Sequence, residues 1–156
     1  VDKYTWHDLG SSFLPSDILA ALLAAQMDRY DEIFEKRMNV WNTYFNGLQD
    51  LKEAGKLGLP VIPEHITHNA HMFCIVLPSE EARTNMINKL REKEIASYIC
   101  YVPLHSAPYG LQMGYKPEDC PVTEDLAKRI LRLPLYADMT TEDAQYVVDC
   151  IHEVLK

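Results

Sequence analysis

From Asp17 to Asn46 the chain contains neither glycine nor proline, and its apolar positions recur at helical steps. Ser16 is a good N-cap for a helix starting at Asp17. Ala20, Ala21, Ala24 and Ala25 keep the first half of the run small enough for close packing, and Met27, Tyr30, Phe34, Met38, Trp41, Phe45 and Leu48 then recur at steps of three and four. One very long helix is expected, from Asp17 to about Lys52, stopped by Gly55, Gly58 and Pro60. At the usual helical rise it would be about 55 Å long. That exceeds what so small a domain needs to cross itself, so part of the helix is expected to pack against something outside this chain.

The rest of the pattern is shorter-ranged. Met72 to Leu77 is an apolar run bounded by His71 and Pro78, which suits a strand. Ser79 can cap a helix carrying Ala82, Met86, Ile87 and Leu90, and Ile95 to Val102 reads as a second strand. Pro103 to Pro121 is expected to be a long loop, Thr123 to about Ile130 a short helix, and Leu131 to Tyr136 a third extended segment. Thr140 with Asp143 resembles a capping box for a last helix that lines up Ala144, Val147, Val148, Ile151 and Leu155. The expected fold is therefore α+β, with helices packed on a small, mainly antiparallel sheet of about three strands. It lacks the regular strand and helix alternation of a doubly wound domain. The chain reads as one domain over 1–156, with a turn and long helix in 1–55 and the sheet and its helices in 56–156.

Length and composition are those of a single globular domain: 156 residues, 47% hydrophobic and 24% charged. No apolar run reaches the ~18 residues of a membrane span. A net charge of −8 without a basic cluster disfavours nucleic acid as a partner. Cys74, Cys100, Cys120 and Cys150 lie 26, 20 and 30 residues apart, so none pairs at metal-knuckle or redox-motif spacing. They read as reduced, mostly buried thiols of a cytoplasmic protein. The chain opens on Val1 and soon spends Tyr4 and Trp6 where free termini are usually polar, a start that looks excised from a longer polypeptide.

Candidate chemistry is sparse. His65, His68 and His71 repeat every third residue, but Pro63 before them and a strand starting near His71 keep the rings off one face, and no metal site is expected. The glycines form no phosphate-binding loop, and no nucleophile elbow is present. Tyr101-Val102-Pro103-Leu104-His105 puts a phenol and an imidazole at the end of the expected second strand, where sites collect. On composition alone, a hydrogen-bonded tyrosine and a structural histidine remain the better reading. Gly10-Ser11-Ser12 offers anion-binding groups, but reads more simply as a turn into a capped helix.

Several blocks carry a resemblance. Gly10-Ser11-Ser12-Phe13-Leu14-Pro15-Ser16-Asp17 with the alanine-rich helix ending Ala25-Gln26-Met27, Asn69-Ala70-His71-Met72-Phe73, Tyr101 to His105, and Cys120-Pro121-Val122-Thr123-Glu124 through Leu131 to Tyr136 resemble, in order, segments of the DegT/DnrJ/StrS family of sugar aminotransferases. The resemblance covers essentially the whole chain. It implies the small C-terminal domain of a fold-type I transferase dependent on pyridoxal 5'-phosphate (PLP), with its own N-terminal large domain absent here. It further implies a cytoplasmic homodimer, with glutamate as amino donor and a dTDP-linked keto-sugar as acceptor. The opening Val1 to Trp6 with Gly10-Ser11-Ser12 resembles the members that aminate dTDP-4-dehydro-6-deoxyglucose for enterobacterial common antigen and lipopolysaccharide. None of the nine lysines sits in the family's lysine motif, so no catalytic residue is expected in this fragment, which should bind no PLP and be inactive alone. The resemblance reverses the compositional reading of the loop, because it implies substrate contact by Tyr101 and His105. Ser12 stands where the family commonly has an Asn that reaches the PLP phosphate of the neighbouring subunit. Two alternatives stay open: a PLP-dependent sugar dehydratase of the same fold, and a non-catalytic α+β interaction domain.

Overall fold

The computed structural model describes residues 4–10 and 13–156. Ser12 lies outside the described residues. The expected long helix is interrupted twice, into α1 (Asp17–Met27), α2 (Tyr30–Gly47) and α3 (Gln49–Glu53). Ser16 caps α1 as expected, its hydroxyl accepting from Leu19 N–H. The first interruption needs neither glycine nor proline. Arg29 leaves helical geometry at φ −110° and ψ 19°, and its N–H bonds back three residues to Gln26, not four. The second falls at Leu48, whose side chain is wholly buried at the turn.

Three strands come next: β1 (Phe73–Val76), β2 (Tyr98–Ile99) and β3 (Ile130–Leu133). Both outer strands pair antiparallel with β3, in the order β1-β3-β2. Each is shorter than the apolar run that predicts it; Pro134, which has no N–H to donate, directly follows β3. Between them lie α4 (Glu80–Glu92), α5 (Pro108–Gln112) and α6 (Pro121–Arg129), and the chain ends with α7 (Thr141–Val154). The expected loop from Pro103 to Pro121 thus contains a helix, started by Pro108 at its first position, and a 3₁₀ turn at Pro117–Asp119. Ser79 caps α4, and Thr140 with Asp143 forms the capping box of α7.

Strand alternation divides the sheet. Phe73, Ile75, Leu131 and Leu133 are buried among α2, α4 and α7, around Tyr44, Leu48, Met86, Leu90 and Ile151. Tyr44 closes this core by donating its hydroxyl to the Pro134 carbonyl at 2.9 Å. Cys74, Val76, Ile130 and Arg132 face the other way and are half-buried. α1 takes no part in the core: none of its residues is buried.

Candidate functional site

Beyond β2 the chain passes through Cys100 into the Tyr101–His105 loop, which the segment from Tyr4 to Trp6 lines. Val102 N–H donates to the Tyr4 carbonyl at 3.2 Å, and Tyr109 N–H to the Trp6 carbonyl at 3.1 Å. Rings reinforce both contacts: Tyr4 lies 5.4 Å from Tyr101, and Trp6 meets Tyr109 edge-on at 4.6 Å. Between the segment and the loop is a cavity of about 650 Å³ with Tyr4, Trp6, Cys100, Tyr101 and Leu104 in its wall. A second, of about 310 Å³, shares Trp6 and Leu104 and adds His105, Met113 and Tyr115. The aromatic opening that looked out of place in the sequence is one wall of the site.

Gly110 shapes the loop. A Cβ there would overlap the carbonyl of Leu104 and come within 2.7 Å of that of His105, so α5 reaches the loop only through a glycine.

Tyr101 is exposed, at 61%. The His105 side chain is 13% exposed. Its Nε2 faces Glu124 Oε1 of α6 at 3.2 Å, without the alignment of a hydrogen bond, and both atoms are shut off from solvent. The contact sets the His105 ring against α6. No sequence pattern signals this pairing, since 19 residues and an intervening helix separate the partners.

The remaining candidates are not gathered at this site. Among the described residues, no group of three histidine, cysteine or acidic side chains is arranged to hold a metal. The His68 ring lies 4.4 Å from Trp41, and its Nδ1 accepts from Ala70 N–H. Arg37 donates to the carbonyls of Ala70 and His71, holding the backbone where Ala70 takes a left-handed φ of 48°. The expectation of mostly buried thiols is corrected. Only Cys150 is buried; Cys74, on the uncovered face of β1, and Cys100, just past β2, are half-buried, and Cys120 is exposed.

PLP needs a lysine for its covalent seat, and among the described residues neither cavity has a lysine in its wall. The residues around this loop do not fit that seat. They offer aromatic faces, a phenol and an imidazole, which suit a polar ligand with a ring.

No described helix is long and apolar enough to cross a membrane. The chain is 31% identical over 152 residues to the pleiotropic regulatory protein of Geobacillus stearothermophilus, covering 97% of this chain and 40% of that one. It is 29% identical over 141 residues to the dTDP-3-amino-3,4,6-trideoxy-alpha-D-glucose transaminase of Micromonospora megalomicea, covering 89% and 37%. The fold matches Spr1654 of Streptococcus pneumoniae in its PLP form, with a TM-score of 0.78 at 24% identity over 89% of this chain and 35% of that one. The chain thus spans about two fifths of the curated relatives' length. The sequence model of the DegT/DnrJ/EryC1/StrS aminotransferase family matches residues 1–152, and the chain belongs to that family.

Proposed function

We propose that this chain is the C-terminal part of a longer PLP-dependent aminotransferase that passes an amino group from glutamate to a nucleotide-linked keto-sugar, dTDP-4-dehydro-6-deoxyglucose. Family membership and the short share of the relatives' length support this reading. The observation that carries it is the Tyr101–His105 loop, which lines two aromatic cavities without a lysine in either wall. PLP, when bound to the whole enzyme, supplies the electron sink for the proton shift. Its lysine lies outside this chain, so the fragment alone binds no cofactor and turns over no substrate.

The residues here hold the acceptor. Tyr101 presents its ring and phenol at the larger cavity. His105 hydrogen-bonds a sugar hydroxyl through its imidazole, whose ring is set by its contact with Glu124. Trp6, Leu104 and Met113 add apolar wall beside it. Ser12 donates to the PLP phosphate of the neighbouring subunit, and the exposed apolar face of α1 is covered in a cytoplasmic homodimer that includes the large domain. The product enters lipopolysaccharide and enterobacterial common antigen synthesis.

The test is an assay of the full-length protein with PLP, glutamate and a panel of dTDP-keto-sugars. Amination of dTDP-4-dehydro-6-deoxyglucose is the expected result, and no amination of any of them overturns the reading. His105→Asn in the same protein should lower kcat/KM for the keto-sugar about tenfold, or about 1.4 kcal/mol. Because that change also leaves Glu124 Oε1, shut off from solvent, without its partner, it is paired with His105→Asn/Glu124→Gln, which should restore stability but not rate.

A further inference from the structure

Six arginines occur in the sequence, and the fold accounts for five of them. Arg29, Arg83 and Arg129 pair with carboxylates, Arg37 donates to two backbone carbonyls, and Arg91 lies on the exposed surface. Arg132, on the uncovered face of β3, is half-buried and has no carboxylate within ion-pair distance among the described residues. Taking a guanidinium partly out of water without an anion is costly. Acidic side chains outnumber basic ones by 23 to 15 in this chain, so carboxylates are not in short supply.

Arg132 lies over the ring of Tyr98, its neighbour across the sheet, 5.9 Å from the ring centre. Beside them, where β1 begins and β3 ends, is a cavity of about 250 Å³ with Arg132, Tyr98, His71, Met72, Pro134 and Leu135 in its wall. The His71 backbone is fixed at this wall. Its carbonyl accepts from Arg37, its N–H donates to Asn69 Oδ1 at 3.0 Å, and Ala70 before it carries the left-handed φ of 48°. Backbone held in such a conformation by its surroundings clusters at ligand sites.

We propose that this cavity binds the anion of a short-chain carboxylic acid, with Arg132 gripping the carboxylate and the carbon chain lying on Met72, Pro134 and Leu135. Arg132 lines neither cavity at the Tyr101–His105 loop, and the assignment is independent of the proposed sugar chemistry.

Charge and wall composition set the ligand class. An arginine over an aromatic ring keeps its in-plane N–H donors for other partners, and two of them match the two oxygens of a carboxylate. Among the described residues, Arg132 is the only arginine or lysine in the wall, so the fixed charge is single. It balances a carboxylate and falls short of a phosphate dianion. The His71 imidazole and the Tyr98 phenol add hydrogen-bonding groups beside it. Met72, Pro134 and Leu135 are apolar and favour a carbon chain over an inorganic ion. The volume lies below the roughly 300–1,000 Å³ of drug-sized sites, which limits that chain to a few carbons.

The experiment uses the full-length protein with PLP in place, titrated with butyrate, butanamide and inorganic phosphate and read by ligand-observed NMR. Each titration is repeated in Arg132→Gln, and the unfolding midpoint of every variant is measured. The parent should bind butyrate about tenfold more tightly than butanamide, its neutral analogue, and Arg132→Gln should weaken butyrate by about the same factor. Arg132→Lys, which keeps the charge and loses the fork, should weaken it about threefold. Tyr98→Leu removes the ring under the guanidinium and should cost about as much. These two variants carry the test if Arg132→Gln does not fold. No butyrate binding in the parent, equal binding of butanamide, butyrate binding unchanged in Arg132→Gln, or phosphate binding that Arg132→Gln abolishes in place of butyrate would each overturn the proposal. A lowered unfolding midpoint in Arg132→Gln, with no butyrate bound by the parent, would overturn it in favour of a carboxylate elsewhere in the full-length protein. Inactivity of the enzyme toward every sugar would leave these readouts intact, so the two readings fail separately.

Discussion

Helices α1 and α2 come from one stretch of sequence without a glycine or proline before Gly47, and they meet opposite fates. α2 carries Asp31, Glu32, Glu35, Lys36 and Arg37, yet it buries Val40, Trp41 and Tyr44. α1 carries a single charge, Asp17, and buries nothing; Ile18, Leu19, Leu22, Leu23 and Met27 all stand more than half exposed. The more apolar helix is the one left outside. Burial follows a face and a partner, and a count of apolar residues does not decide it. In α2 the large residues fall on one side, where Trp41 lies 5.3 Å and Tyr44 5.1 Å from the Phe73 ring. In α1 alanines and leucines run all round the axis, a pattern that suits contact on several sides.

Tyr44→Ala should have the largest effect on folding. It empties a wholly buried ring site and orphans the Pro134 carbonyl, at an expected cost of about 3–5 kcal/mol in urea unfolding. Leu22→Asp with Leu23→Asp on α1 should leave that unfolding free energy within about 0.5 kcal/mol and dissociate the proposed homodimer of the full-length protein in sedimentation. An intact dimer with a lowered unfolding midpoint would place α1 within a core of its own chain and remove the contrast between the helices.

A smaller effect is expected where α2 meets α7. A Cβ on Gly47 would lie 3.0 Å and 3.1 Å from the two Val148 methyl carbons. Gly47→Ala gains helix propensity of about 1 kcal/mol but overpacks the contact by about 1–3 kcal/mol, so a net loss of about 1 kcal/mol is expected. Val148→Ala makes room for the new methyl. The double variant should therefore be more stable than the two single losses add up to, and strict additivity would show that the helices shift apart freely at this point.

The same contrast marks what the sequence could announce. Elements whose signal is local were legible: the Ser79 cap, the Thr140 and Asp143 box, and the apolar runs that became β1 and β3. The interruption at Arg29 was not, because no residue there forbids a helix. At the site, Tyr101 and His105 could be singled out from their loop and the family resemblance. Glu124 could not, because its place beside His105 depends on elements brought together across the fold. Tyr4 and Trp6 were noticed as misplaced aromatics and as part of the resemblance, and their role as a cavity wall required the loop against which they lie.

The smallest expected effect lies at the junction between the two helices. Glu32, in the first turn of α2, faces Arg29 and Lys36, both with N···O distances of 2.7 Å. Hydrogen bonds from Arg29 first, and then from Lys36, hold its carboxyl down at about 2 against an ordinary 4.5. The folded protein thus binds this proton less tightly than the unfolded chain does. The contribution to stability is complete above the ordinary carboxylate range and is lost as the pH falls through about 2. The group is fully exposed, so solvent and salt screen it and the gain should be slight. Unfolding of Glu32→Gln compared with the parent from pH 6 down to about 2 should show the difference shrinking through that window, and shrinking further in high salt. A difference that stays constant with pH would mean that the carboxylate does not hold the junction. The turn at Arg29 would then be set by the seating of α2 alone, which would make the separation of α1 from α2 a consequence of packing and not of charge.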